Sequence, residues 1–334
     1  MKRISFNKML NHVREAVLLT KEYGFTHGFY YVATKVTKGR LNKQLIKKRM
    51  KLIYKWVLDN YLQELSNEVN YIDMVNDVQF KKASPKVAFM GKCPIWIYWE
   101  QGIEDAPELV KMCFSSVLLN AGGGYAVIPV SSDNLSSFLN IPEYILEKHK
   151  KGLISSTHLS DIIRCGLLAQ YGGIWLDATI LLTATLDESI REQTFWTIKG
   201  EYNDTISSIS YYRWNTAVMK GNNVVFGPLY KLWLQFWHEH DHIIDYLLLD
   251  YFIELIYQND ISIKGLIDAV PMNNLNVFEL QKRLNSPYTE ESQVKIDETT
   301  YIFKLQRRET VNRQINGEQT LYGKLYDRYV VSMQ

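Results

Sequence analysis

An α/β domain with a parallel sheet, preceded by a basic helical extension, is the fold class predicted for this 334-residue chain. Three observations predict it. Short apolar runs alternate with helical-period segments beyond residue 92, and glycine clusters separate the two. Residues 1–56 carry 14 Lys/Arg against only Glu15 and Glu22, so the formal net charge of +2 hides +12 in that arm and −10 in the remainder. "KKASPK" (81–86) breaks the pattern and sets the boundary between an extension over 1–84 and a domain over 85–334.

Each element follows from its residues. Segments 5–22 and 41–66 read as helices, the second with Leu45, Leu52, Trp56 and Leu62 near helical spacing. "PIWIYW" (94–99) is a buried strand, and "APELVKMCFSSVLLN" (106–120) a helix with Pro107 near its first turn. "AGGG" (121–124) stops that helix, and "YAVIPV" (125–130) completes a βαβ unit. These glycines do not match GxGxxG; they suit a helix C-cap and a tight turn. "STHLSDIIRCGLLAQY" (156–171) is a helix capped by Ser156 or Thr157 and ended by Gly172-Gly173. "IWLDATILL" is the next strand, with Asp177 at or just past a strand end, the edge where parallel sheets bind ligands. "WNTAVMK" (214–220) reads as a strand, 228–257 as one long helix or two, and 262–334 as short strands with a final helix.

Composition narrows the class. At 46% hydrophobic the chain can bury a sizeable core, and its 13% aromatic content suits sugar or base stacking. Cys93, Cys113 and Cys165 form no CxxC pattern, which fits a reduced, cytoplasmic setting. No run approaches the ~18–20 apolar residues of a membrane-spanning helix, and "MKRISFNKML" is too short in apolar residues for a signal peptide. The expectation is a soluble or membrane-peripheral protein. The basic arm implies an anionic partner: a membrane surface, a nucleic acid, or the protein's own acidic body. With no RRM, KH or zinc-finger pattern, no nucleic-acid partner is expected.

Asp177 stands between Ile174-Trp175-Leu176 and Ile180-Leu181-Leu182, where an unpaired carboxylate costs several kcal/mol, so it must pair, protonate or face a ligand. Asp161 and Arg164 are the charged exceptions on a helix that is otherwise apolar on nearly every face, and at i,i+3 they share a side. They make either a buried structural ion pair or, with Asp177, a constellation that holds a ribose, a diphosphate and a metal. Asp245 and Asp250 in "IDYLLLDYF" are candidate active-site carboxylates or helix-end hydrogen-bonding groups, and Asn215 is a candidate sugar contact. "HEHDH" (238–242) fits the H-E-x-x-H string but lacks a third ligand and an apolar helix setting, so an exposed break between helices is the better reading.

"HLSDIIRCGLLAQYGGIWLDATILLT" (158–183) resembles the segment shared by capsular polysaccharide synthesis proteins and glycosyltransferases with a DXD sugar-binding region. The pattern is roughly S-D-x-x-R, then L-L-x-x-x-G-G-I/V-Y/W-x-D-x-D/T. Looser likeness over "IWIYWEQGIEDAPELV", "WNTAVMKGN", "DYLLLDYF" and "YIFKLQRR" extends it to about residues 92–310 and leaves out the basic arm. The resemblance implies a GT-A-like nucleotide-diphospho-sugar transferase fold, with a mixed sheet and a Rossmann-like half. It also implies sugar transfer, with retention of configuration, from a nucleotide-diphosphate donor such as a UDP-sugar to a capsular or other surface polysaccharide. It makes Asp177 a catalytic residue and the first DXD aspartate. It makes Trp99, Asp161, Arg164 and Lys304 donor contacts; Asn215 as a donor contact and Asp245 as a second catalytic residue remain candidates read from the residues themselves. The second DXD aspartate is Thr179, a weaker oxygen donor, so a Mn²⁺ or Mg²⁺ ion on Asp177 and Thr179 would be held less firmly. Lys304, Arg307 and Arg308 are then the candidate cations for a developing diphosphate, with a solvated strand edge as their alternative role. The implied acceptor is a lipid-linked saccharide, which would set residues 1–56 on an anionic inner membrane face. Alternatively, the apolar side of the 41–56 helix packs on the domain and leaves a solvated basic face. A second functional class also stands: a non-catalytic nucleotide-sugar-binding or assembly protein.

Overall fold

A computed structural model of the chain describes residues 6–66, 89, 91–200, 213–292 and 300–331. Three helices lead: α1 (Phe6–Tyr23), α2 (Phe25–Val36) and α3 (Gly39–Ser66). The body follows as β1 (Cys93–Tyr98), α4 (Glu108–Asn120), β2 (Tyr125–Val130), α5 (Glu143–Lys150) and α6 (Ser156–Tyr171). Next come β3 (Gly173–Leu176), β4 (Ile180–Leu182), β5 (Trp196–Thr197), β6 (Val218–Gly221) and α7 (Asn223–Glu239). The chain ends with α8 (Leu248–Asn259), α9 (Ile261–Ala269), β7 (Ile302–Lys304), the hairpin β8 (Gln314–Ile315) and β9 (Glu318–Gln319), and α10 (Leu321–Tyr329).

The main sheet runs β2-β1-β3-β6-β5. β1 pairs parallel with β2 and β3, while β6 is antiparallel to both β3 and β5. A parallel, Rossmann-like half thus continues into an antiparallel one, the mixed sheet expected of a GT-A-like fold. Both faces are covered, which is why the strands read as continuous apolar runs. Trp96, Tyr98 and Trp175 point into the larger core with α6, α7 and α8, and Ile95, Ile97, Ile174 and Leu176 into a second core with Val117 of α4.

The apolar segment around Asp177 is not one strand. It divides into β3 in the main sheet and β4, which pairs with β7 in a separate two-stranded sheet, and Asp177–Thr179 form the turn between them. Ahead of β3, Gly172 (φ 68°) ends α6, its N–H bonding Leu168 O at 3.0 Å. Gly173 (φ 95°) lies so close to Pro94 that a Cβ would sit 2.4 Å from the Pro94 carbonyl oxygen. The α6 cap is Ser155, one residue earlier than expected, because its hydroxyl accepts from His158 N. β6 is shorter than "WNTAVMK": Asn215 Oδ1 accepts from Ala217 N and closes a turn before it. The 228–257 region is two helices, and α7 begins earlier, at Asn223, with Asn222 as its cap.

The described residues of the N-terminal helices share the main core with the domain. Ile53, Val57 and Tyr61 of α3 are buried, and the Tyr61 and Phe252 rings meet edge to face at 5.7 Å. The 41–56 helix therefore packs its apolar side on the body. α2, "FTHGFYYVATKV", has too many aromatic and β-branched residues to announce a helix; packing on α1 overrides that propensity. The expected boundary at 81–86 lies outside the described residues. Among those described, no helix is long and apolar enough to cross a membrane.

Candidate active site

A cleft of about 560 Å³ opens at the carboxyl ends of β1 and β3, a size suited to a nucleotide-scale ligand. Tyr98, Trp99, Glu100 and Gln101 line it after β1, and Ser156, Thr157, Ser160 and Arg164 from α6. Trp175 and Asp177–Thr179 form its floor; Tyr246 and the run Lys304–Arg308 close it.

Local structure explains how these groups converge. Asp177 N donates to Ala217 O at 2.9 Å and Ile180 N to Asp177 O at 2.8 Å, so the turn is pinned on both sides. The side chain lies on the same strand side as Trp175, two residues back, and faces α6. Arg164 Nη2 and Trp175 Nε1 each donate to Asp177 Oδ1 at 2.9 Å, and the Arg164 guanidinium stands 5.0 Å over the Trp175 ring. From the other side the β4–β7 register sets Lys304 opposite Ile180. Its Nζ reaches Asp177 Oδ2 at 2.8 Å and Thr179 Oγ1 at 2.6 Å. The half-buried Asp177 is thus paired and faces the cleft at once. Burial pushes its carboxyl upward, but Lys304 and then Arg164 outweigh that and hold it below the ordinary carboxylate value.

Asp161 sits behind Arg164, not on the cleft wall, with its Oδ1 3.1 Å from Arg164 Nη1. Burial lifts it to about 7, against the pull of Arg164 and with the push of Asp177 and Asp250. It orients the guanidinium from the core side and does not itself line the cleft. Trp99 lines the cleft, and the Arg307 guanidinium stands 5.4 Å over its ring. Arg308 lines the cleft too.

Asp245 forms a 2.5 Å ion pair with Arg49 of α3 and accepts from Leu247 N; it does not itself line the cleft, although the next residue, Tyr246, does. It ties the N-terminal helices to the loop before α8. Asn215 does not line the cleft; its turn presents the Ala217 carbonyl that anchors Asp177. Asp250 accepts from Trp214 Nε1 at 3.1 Å. "HEHDH" is the polar break between α7 and α8, with His240 against Glu22.

Trp175, Glu100 and Tyr246 escaped the sequence reading. Trp175 was legible in principle, since i,i+2 residues of a strand share a face. Glu100 was not, because its neighbour His149 is distant in sequence; their Oε1 and Nε2 lie 2.7 Å apart. Burial pushes Glu100 up, but hydrogen bonds from Ser156 and His149 more than offset it.

A divalent ion between Asp177 and Thr179 would need free oxygen lone pairs. Both Asp177 oxygens and the Thr179 hydroxyl already accept from cationic or N–H donors, and Lys304 fills the position between them. Among the described residues, no group of three or more His, Cys, Asp and Glu is placed to hold a metal. As arranged, with Lys304 bridging Asp177 and Thr179, the residues do not fit a two-ligand metal centre.

The chain is similar to several fungal proteins. It is 28% identical over 102 residues to the O-glycosyltransferase PaGT of Phomopsis amygdali, covering 28% of this chain and 25% of that protein. It is 25% identical over 133 residues to the glycosyltransferase afumC of Aspergillus fumigatus, covering 37% and 33%. With the probable glycosyltransferase FCK3 of Fusarium pseudograminearum it shares 23% identity over 188 residues, 49% of this chain and 45% of that protein. It therefore spans a quarter to under half of each relative's length. Among solved structures it matches the apo structure of the bifunctional glycosyltransferase WbbM, with TM-score 0.40 and 9% identity over 74% of this chain and 52% of that one. The sequence profile of the capsular polysaccharide synthesis proteins matches residues 35–325, reaching well into the basic arm that the resemblance had left out. By that match the chain belongs to the capsular polysaccharide synthesis protein family.

Proposed function

We propose that this protein is a glycosyltransferase that moves a sugar from a nucleotide-diphosphate donor, a UDP-sugar in the first instance, to a lipid-linked saccharide of a capsular or other surface polysaccharide. The reaction runs with retention of configuration, at the cytoplasmic face of an anionic membrane. The observation that carries the reading is the Arg164–Asp177–Lys304 cluster, set in a nucleotide-sized cleft at the strand ends with Arg307 and Arg308 beside it.

In this reaction the bond from the anomeric carbon to the diphosphate breaks. That carbon bonds the acceptor oxygen, and the acceptor's hydroxyl proton passes to the departing diphosphate. Negative charge grows on the departing diphosphate, and preorganised cations stabilise it most where water is excluded. Lys304 provides that cation, held by Asp177 and Thr179, with Arg307 and Arg308 completing the anion site. Trp99 offers a ring for the base, and Asp177 acts by positioning Arg164 and Lys304. Since Lys304 stands where a metal would, dependence on Mn²⁺ or Mg²⁺ is weak.

A thermal-shift panel of nucleotide sugars, followed by assay of diphosphate release, tests this. One donor should raise the melting temperature by several degrees and be turned over. Stabilisation without turnover, with or without a saccharide acceptor, would favour a donor-binding assembly protein; a panel with no stabilising member would overturn both.

A further inference from the structure

We propose that the α1–α2 hairpin is a lipid-docking surface that seats on an anionic bilayer. Among the described residues, the hairpin meets the body through its buried side. Leu19, Tyr23 and His27 are buried, and the Tyr23 hydroxyl donates to the His242 carbonyl. At Gly28 the two helices touch so closely that a Cβ would fall 2.0 Å from Thr20 Oγ1.

A second side is apolar and, among the described residues, exposed. On α1, Met9, Val13 and Val17 recur every fourth residue and so form one stripe; on α2, Phe25, Phe29 and Val36 form another. Phe25 is 74% exposed and Val17 60%, and the Phe25 and Phe29 rings stack at 6.1 Å. A folded chain does not leave two adjacent apolar stripes to water without a use for them.

Charge selects the occupant. Arg14 and Lys21 of α1 and Lys35 of α2 are exposed, followed by Lys38 in the turn to α3 and Arg40 in the first turn of α3. The hairpin's two carboxylates, Glu15 and Glu22, are drawn in, and Glu22 accepts from Asp241 N at 2.9 Å. Apolar stripes rimmed by cations, with the carboxylates withdrawn, match the acyl boundary and phosphate layer of an anionic leaflet. This surface differs from the 41–56 helix, whose apolar side is spent on the body. The inference rests on the proposed transferase reading only in choosing a bilayer as the occupant.

Sedimentation of the full chain with vesicles decides it, using phosphatidylcholine alone or with about one-third phosphatidylglycerol. The native chain should bind the anionic vesicles at low salt and lose at least about tenfold in affinity toward ~0.5 M salt. The variant Val17→Ser/Phe25→Ser/Phe29→Ser should lose binding at every salt concentration. Arg14→Gln/Lys21→Gln/Lys35→Gln should lose on the order of 100-fold at low salt only. All three chains should melt alike and keep any donor-induced thermal shift. Absence of binding by the native chain, or native-like binding by the serine variant, overturns the proposal. So does a lipid-free dimer that the serine variant abolishes, because a second copy would then cover the stripes. A chain that docks on vesicles yet is stabilised by no nucleotide sugar would sink the transferase reading and leave this one standing.

Discussion

On the proposed reading, Lys304 is the side chain on which the anion chemistry turns. Its removal leaves Asp177 still held by Arg164 and Trp175, so Lys304→Ala should fold normally. The variant should bind a nucleoside diphosphate ~10-fold or more weakly, the scale of a charge-assisted hydrogen bond, while Lys304→Arg recovers part of the loss. Titration calorimetry in EDTA and in Mn²⁺ checks both claims; wild-type affinity that collapses in EDTA would restore the metal to the site. Asp161 supplies a different signal. Burial first, aided by Asp177 and Asp250, raises its carboxyl to about 7 against Arg164. Between its ordinary 3.8 and that value the folded chain holds a proton that the unfolded chain has released. Its contribution to stability is fully present below the lower limit and fades as pH rises through the upper one. Asp161→Asn, neutral throughout, should melt with a visibly shallower loss across that window than the native chain; parallel curves would mean that Asp161 is ionised in the fold. Asp177 runs the other way. Burial works against it, yet Lys304 and Arg164 hold it low, so its contribution is present above 3.8 and lost as pH falls through the lowered value.

At the level of elements, α3 and the loop before α8 are joined by Arg49 and Asp245, both mostly buried. Breaking such a pair from one side leaves an uncompensated charge, so Asp245→Ala should cost about 3 kcal/mol of stability or more. Donor turnover by the folded fraction should be unchanged. A kcat that falls while the melting temperature holds would return Asp245 to the catalytic list. The history of that residue shows what pattern reading reaches. β1, α4, β2 and α6 were legible because each signal is local: an apolar run, a proline near a first turn, a glycine pair. Asp161, Arg164 and Asp177 were legible as charges an apolar setting must answer for. Their partners were not, since Asp245 pairs across 196 residues of chain and Lys304 across 127. The division of "IWLDATILL" between two sheets was equally hidden, because its second half pairs with β7 and nothing in the run itself says so.

The whole molecule has a core that crosses the expected boundary between extension and domain. Leu19, Tyr23, Ile53, Val57 and Tyr61 share one apolar cluster with Trp96, Trp175 and Trp233. Heating should therefore give a single transition for helices and body together. Two resolved transitions by calorimetry would show that the helices fold apart. Tyr61→Ala should lower that single melting temperature, since truncating a buried aromatic costs about 3–5 kcal/mol. The distribution of the eight tryptophans adds an optical consequence. Trp96, Trp214, Trp233 and Trp237 are sealed in the interior, whereas Trp99 and Trp175 line the cleft, each under a guanidinium. A nucleotide that displaces Arg307 from the Trp99 ring or stacks on it changes the surroundings of that indole and leaves the interior four untouched. If the cleft takes a nucleotide as proposed, the protein thus carries a built-in fluorescent gauge of its own occupancy, which needs no label to read and from which Trp99→Phe would remove the Trp99 share.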